Sequence, residues 1–295
     1  MPMVGVLRVN AKDVNEAFAE PFPRYMKLLG WEEGRNIGFQ FLWAGGQNDQ
    51  LPVLARELVA RKVNLIITFG NPAVQAVQRT TTTIPIVGMT DDMVGAGLAA
   101  SMARPGGNTT GVSILGTELN AKRHELLHEF APQARRIAVL ADPNQFTSRP
   151  QLENVSRRFG VDFSIFSARN REEIGPALDA MDRAQVEAVN ILASPILNGS
   201  RAVIIDRLRR LRLPSIYEWP ESAEEGGLLG YGPRLQAMYR QVAVLVDKVL
   251  RGAAPRDLPI EQPTKFELVV NLKTALVIGL TIPPALLLRA DAVIE

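Results

Sequence analysis

The sequence predicts an α/β protein with two similar lobes, each built on a parallel sheet. Three observations carry this expectation. Apolar runs of strand length recur along the chain, amphipathic stretches of helical length separate them, and the whole alternation occurs twice. Parallel strands are covered by helices on both faces, so they read as continuous apolar runs, and their alternation with helices marks βαβ units. The first series of strands is expected at residues 4–9, 37–43, 63–69 and 84–89. The second is expected at 137–141, 161–167, 188–193 and 213–217.

The elements between and after these series decide how the lobes are joined. Arg104-Pro-Gly-Gly-Asn-Thr-Thr-Gly-Val-Ser113 ends a helix expected over 94–102 and opens a short strand at 109–114. A second strand follows Gly226-Gly227, at 228–232, and leads into a long helix over 235–250. A turn-rich break at 252–259 precedes a further strand at 266–271. If the long helix returns to the first lobe and the last strand to the second, the chain crosses three times. The lobes are then 1–112 with 233–263 and 113–232 with 264–295, with hinge residues Ser113, Gly232 and Lys265.

Composition excludes several classes. The 295 residues suffice for two cores, and 46% hydrophobic with 22% charged residues mark a folded, water-soluble chain. A net charge of +2 gives no nucleic-acid footprint, and the one basic tract, Arg207-Leu-Arg-Arg-Leu-Arg212, reads as the solvated face of a helix. The absence of Cys excludes disulfides and thiolate chemistry and suits an oxidising compartment. No charged segment followed by an apolar one precedes the first strand, which leaves the chain either cytoplasmic or trimmed of a leader. The apolar stretch 275–288 is too short to span a bilayer, contains Pro283-Pro284 and is expected in a core.

His124-Glu-Leu-Leu-His128 matches the zinc-protease signature, in which two imidazoles one helical turn apart hold a metal. Leu119, Leu126, Leu127 and Phe130 cluster on one side of that helix, so both histidines are expected to face water, and Glu153 is the nearest third ligand. The match is read as accidental, with no metal and no cofactor. No nucleophile elbow or phosphate-cradling loop is present, so no catalytic residues are assigned.

The strand ends carry groups suited to recognition, since open α/β sheets bind ligands outside their carboxyl edges. In the first half these are Asn10, Phe69, Asn71, Thr90 and Asp92. In the second they are Gln145 and Phe146 within Asp142-Pro-Asn-Gln-Phe146, then Ser194, Glu218, Trp219 and Tyr231. Hydroxyls, amides and free backbone N–H groups at the helix starts of Asn71, Thr90 and Ser194 favour a carboxylate. Phe69, Phe146, Trp219 and Tyr231 would enclose an apolar or ring-bearing body, and Asp92 or Glu218 would receive an α-ammonium. The expected ligand is a small carboxylate, an aromatic or hydrophobic amino acid above all.

Seven segments resemble the substrate-binding components of ABC importers, in the family that includes tryptophan- and tyrosine-binding members. They are LGWEEGRN (29–36), TIPIV (83–87), ARPGGNTTGVS (103–113), LPSIY (213–217), GGLLGYG (226–232), GAAPRDLP (252–259) and QPTKFELVVNLKTA (262–275). The resemblance implies a type I periplasmic-binding-protein fold: two Rossmann-like lobes, a three-crossing hinge, and a ligand clamped without catalysis. It also implies a monomer serving an ABC permease, periplasmic or anchored outside the cytoplasmic membrane. Two departures stand out. The family's Asp-Pro-Val after the fourth strand is Asp92-Met93-Val94 here, and His124 and His128 replace its usual Leu and Lys. A ligand-sensing module that signals to a membrane or regulatory partner without transport would use the same cleft. Such a module remains the alternative reading.

Overall fold

The apolar runs at the middle of each sheet become strands buried on both faces, whereas those at 38–43 and 162–167 form edge strands that are only partly buried. The computed structural model describes residues 1–12, 21–146 and 148–295. The chain forms two units, Met1–Leu115 with Gln236–Pro263 and Gly116–Leu235 with Thr264–Glu295, so it passes between them three times.

The first unit contains β1 (Met3–Arg8), α1 (Pro21–Leu28), β2 (Gly38–Trp43), α2 (Leu51–Ala60), β3 (Leu65–Phe69), α3 (Asn71–Thr80), β4 (Ile86–Thr90) and β5 (Thr109–Ser113). Its sheet is wholly parallel in the order β2-β1-β3-β4-β5. Every residue of β3, β4 and β5 is buried. Between β4 and β5 two glycines face each other, Gly88 opposite Gly111. A Cβ on Gly111 would overlap the Gly88 carbonyl, so the close approach requires glycine. The outer edge of β5 is covered by the returning segment: Val112 bridges to Glu261, and the Thr110 hydroxyl donates to the Leu258 carbonyl at 2.9 Å.

The second unit continues with α4 (Gly116–Phe130), β6 (Arg136–Ala141), α5 (Arg149–Phe159), β7 (Asp162–Ser167), α6 (Ile174–Arg183) and β8 (Ala188–Ile191). There follow α7 (Pro195–Gly199), α8 (Arg201–Arg210), β9 (Ser215–Tyr217), α9 (Pro220–Glu224) and β10 (Leu229–Gly232), after which α10 (Leu235–Leu250) belongs to the first unit. After the return come β11 (Glu267–Asn271), α11 (Leu272–Ile278), α12 (Pro284–Leu287) and β12 (Ala292–Ile294). The seven-stranded sheet runs β12-β11-β10-β9-β8-β6-β7, antiparallel only between β10 and β11. Its part β7-β6-β8-β9-β10 repeats the strand order of the first sheet. In each unit the order therefore reverses at one place, between β1 and β3 in the first and between β6 and β8 in the second.

Two expectations fail and one strand goes unanticipated, each for a local reason. Residues 94–102 form turns rather than a helix: Gly95 and Gly97, the latter at φ 69°, lower helical stability there. Met93 and Leu98 still pack on Val74 and Ile260. The stretch 275–288 is only partly buried, with Leu276 at 82% and Leu288 at 88% exposure: Ala275, Ile278 and Ile282 enter the core, and Leu280, Leu286 and Leu287 rest partly buried against it. β12 was not legible, being three residues beside β11 at the sheet edge. By contrast the basic tract of α8 lies at the surface, Arg207 pairing with Asp179 at 2.7 Å and Arg210 with Asp206 at 2.8 Å.

Gly111→Ala should force β4 and β5 apart and cost roughly 1–3 kcal/mol or more, the scale of overpacking in a tight core. Urea unfolding monitored by circular dichroism measures this, and Gly107→Ala in the turn ahead of β5, with open space around it, is the control for loss of backbone freedom without a clash.

Candidate functional site

Parallel pairing in register brings the ends of β1 and β3 side by side, Leu7 lying opposite Thr68, so that Arg8 and Phe69 become neighbours at the carboxyl edge. Arg8 is only 5% exposed although charged. Its guanidinium carbon lies 3.9 Å from the Phe69 ring centre and 5.4 Å from that of Tyr239 on α10. Its Nη1 donates to the Tyr239 hydroxyl at 3.2 Å, and the two rings meet edge to face at 5.5 Å. A weakly hydrated planar cation held against aromatic faces is a preorganised anion receptor.

The other expected residues of this unit line up along the same edge. Gly70, at φ 87°, turns the chain so that Asn71 heads α3, and Asn71 is buried. Thr90 ends β4, and its buried hydroxyl has no hydrogen-bond partner among the described residues. Ser113 ends β5 and ties the following turn, donating to the Asp91 carbonyl at 3.4 Å and accepting from the Met93 N–H at 3.3 Å. Asn10 is half-buried just past β1. Asp92 is partly engaged in a turn, its Oδ1 accepting from the Gly95 N–H at 2.8 Å.

In the second unit the corresponding edge is acidic. Asp142 follows β6, Ser194 follows β8 and Glu218 follows β9. The Ser194 hydroxyl donates to Asp142 Oδ2 at 3.1 Å and accepts from the N–H of Ile196 and Leu197, capping α7. The Ser194 N–H donates to Glu218 Oε2 at 3.3 Å. Asn144 donates twice to Asp142 Oδ1, both at 2.9 Å, and Gln145 donates to Oδ2 at 3.5 Å. Burial pushes the Asp142 carboxyl up from its ordinary range, and these donors oppose that shift. Burial also pushes Glu218 up, against the pull of Arg123 and the Ser194 N–H.

Arg123 is the missing half of this arrangement. It is fully buried on α4, its Nε donating to the Tyr231 carbonyl at 2.9 Å and its Nη1 to Asn120 Oδ1. Asn120 in turn donates to the Ser148 hydroxyl at 3.1 Å and accepts from Asn190 at 3.2 Å. Among the aromatics, Trp219 is buried at the start of α9, while Phe146 and Tyr231 rest partly buried against apolar clusters.

The sequence-assigned set omitted Arg8, Arg123, Asp142 and Tyr239. Arg8 did leave a signal, a lone charge at the end of an otherwise apolar strand. Of the assigned hinge residues, Ser113 and Gly232 close the strands before two of the passages. Lys265 lies just past the third and pairs with Glu267 at 2.7 Å.

The zinc-like motif needs a correction. His124 does not face water: it is fully buried, with Nε2 3.0 Å from the Ser156 hydroxyl of α5 and its ring edge-on to Phe163. α5 covers the face of α4 that had been taken for solvent. His128 is half-buried and packs its ring on Phe159 at 4.6 Å. Glu153 pairs with Arg149 at 3.7 Å, and no cluster of three or more His, Cys, Asp or Glu suited to a metal occurs among the described residues.

Comparison with known proteins places these features in context. A family profile described as "ABC transporter substrate binding protein" matches residues 4–294. A tyrosine-binding protein of Clostridioides difficile (strain R20291) is 24% identical over 259 residues, covering 86% of this chain and 74% of the relative. Among solved structures, a conserved domain protein from Vibrio cholerae aligns with a TM-score of 0.90 at 25% identity, over 99% of both chains. A Streptococcus pneumoniae ABC domain in complex with L-Trp aligns at 0.87 and 22% identity, again over 99% of both.

The burial of His124 has a consequence for acid stability. Desolvation, with the nearby His128 charge, lowers its pKa from 6.5 to about 4. Between those values the unfolded chain binds the extra proton, so this residue's contribution is present above pH 6.5 and lost as pH falls toward 4. The gap corresponds to about 3 kcal/mol. The raised carboxyls of Asp142 and Glu218 act in the opposite sense, so the comparison must be with a variant. His124→Gln should remove the stability difference between pH 4 and 7 that this residue adds, and chemical denaturation across that range measures it.

Proposed function

Because the chain belongs to the ABC transporter substrate-binding protein family, we propose that it is the solute-binding component of an importer and carries an amino acid with an aromatic or hydrophobic side chain. The family consists of binding proteins and not enzymes, and the fold is that of type I periplasmic binding proteins. The observation that carries the ligand assignment is Arg8, held buried between Phe69 and Tyr239 where the strand order of the first sheet reverses. Ligands of open α/β sheets bind at such points.

A carboxylate on Arg8 forms charge-assisted bonds, with the Thr90 hydroxyl free to add one more. The acidic edge of the second unit supplies the complementary group. Glu218 is taken as the ammonium partner because it lies on the acidic edge beside Asp142, whereas Asp92 shares the first unit's edge with Arg8; each already accepts one backbone N–H. Aromatic faces suit a ring-bearing side chain. The tyrosine-binding relative and the L-Trp complex support this ligand class. Clamping by both lobes about Ser113, Gly232 and Lys265 belongs to the same reading. So does action as a monomer outside the cytoplasmic membrane beside a permease. No helix among the described residues is long and apolar enough to cross a membrane.

Calorimetric titration with L-Trp, L-Tyr and L-Phe, beside indole-3-acetate and glucose, tests the proposal. Arg8→Ala should weaken the amino acids and the plain acid alike, by about 1.5–3 kcal/mol. Glu218→Gln should weaken only the amino acids by a similar amount, and Asp92→Asn should change little. Tight binding of glucose with no response to any carboxylate would sink the assignment.

A further inference from the structure

The first unit carries an open cavity of about 570 Å³ along α2 and α3, apart from the residues discussed so far. Arg56 of α2 and Arg79 of α3 line it, with Asn48 from the turn ahead of α2 and Gln75 from α3. Neither guanidinium is hydrogen-bonded or ion-paired to a described residue, whereas Arg61, one turn along α2 from Arg56, is paired with Glu57. No carboxylate is among the residues that line the cavity. Two solvent-exposed cations on separate helices therefore share one concavity that no carboxylate lines among the described residues.

Asn48 supplies an independent observation. Both the oxygen and the nitrogen of its carboxamide are buried without a partner among the described residues. An unsatisfied buried polar group costs about 1–3 kcal/mol until a partner arrives. Turning this amide toward a bound molecule breaks no existing bond, so its donor and acceptor are held in reserve at the cavity wall. Pro52 and Pro72 add apolar surface.

We propose that this cavity is a second ligand site, for a small organic dianion. Two guanidinium forks match two negative charges, and Arg recognises carboxylate and phosphate oxygens bidentately. A bare oxyanion would fill little of the volume, which lies in the range of about 300–1,000 Å³ that accommodates small organic ligands. The chemistry is shared by phosphomonoesters and dicarboxylates. An amino acid, with a single carboxylate and a cation of its own, is matched poorly here, so the site is distinct in charge from that built on Arg8. The inference does not rest on the solute-binding reading.

Calorimetric titration of the intact chain at about 150 mM salt, where non-specific charge effects are screened, tests it with glycerol 2-phosphate, succinate and inorganic phosphate. Saturable one-to-one binding of glycerol 2-phosphate, of succinate, or of both supports the site and identifies the head group it prefers. Arg56→Ala with Arg79→Ala should weaken that binding at least about tenfold, the worth of one charge-assisted bond, and Asn48→Ala should weaken it without lowering the melting temperature. Titration of the same variants with L-Trp should be unaffected, which separates this site from the first. Three results would overturn the proposal: no saturable binding of either organic dianion, equal affinity for inorganic phosphate, or indifference to loss of both arginines.

Discussion

A guanidinium sealed inside the second unit constrains everything around it. Arg123 cannot give up its charge, and a buried charge without compensation costs several kcal/mol. Its neighbours are arranged accordingly. The Tyr231 carbonyl and the Asn120 amide take its N–H groups, and the Glu218 carboxyl supplies the opposing charge. Glu218 is then held by the Ser194 N–H, and Ser194 by Asp142, so one buried side chain organises the ends of three strands. Even Gly232 belongs to this arrangement, because a Cβ there would run into the Glu218 carbonyl. The buried cation of α4 thus offsets one of the two carboxyls of the acidic edge, that of Glu218.

The two units solve opposite electrostatic problems with one topology. Each reverses its strand order beside the first strand of its series, and each places charge there. In the first unit the charge is a cation held against two ring faces and hydrogen-bonded to the Tyr239 hydroxyl. In the second it is a pair of carboxyls stabilised by amides and a guanidinium. Neither solution follows from the fold alone, since the same strand order would accept apolar residues in those places.

The strands were legible because burial on both faces leaves an unmistakable apolar run, as in β3 and β4. The strand ends were legible too, because position along the chain places Phe69, Ser194 and Glu218 at a carboxyl edge. What escaped reading depended on a second layer of packing. His124 looked solvent-facing because one sheet was considered, but α5 lies on the other side of α4 and buries it. Arg123, a charged residue in mid-helix, gives the same sequence signal as an exposed one. Tyr239 reaches Arg8 across 231 residues of sequence, a separation no local pattern reveals. The turns at residues 94–102 were misread because periodicity outweighed Gly95 and Gly97, where backbone entropy decides.

The covered edge of β5 bears on how the molecule is made. Met102, Thr110, Gly111 and Ser113 all bond backbone groups at residues 258–261. A chain synthesised from its N-terminus therefore exposes this strand edge until residues 258–261 have been made. Pairings between distant segments are slow to form, and open edges invite aggregation while they wait. The first unit, though it begins the chain, is among the last parts that can be finished. A holdase or a translocation channel that keeps the N-terminal third extended until then would act with the topology and not against it.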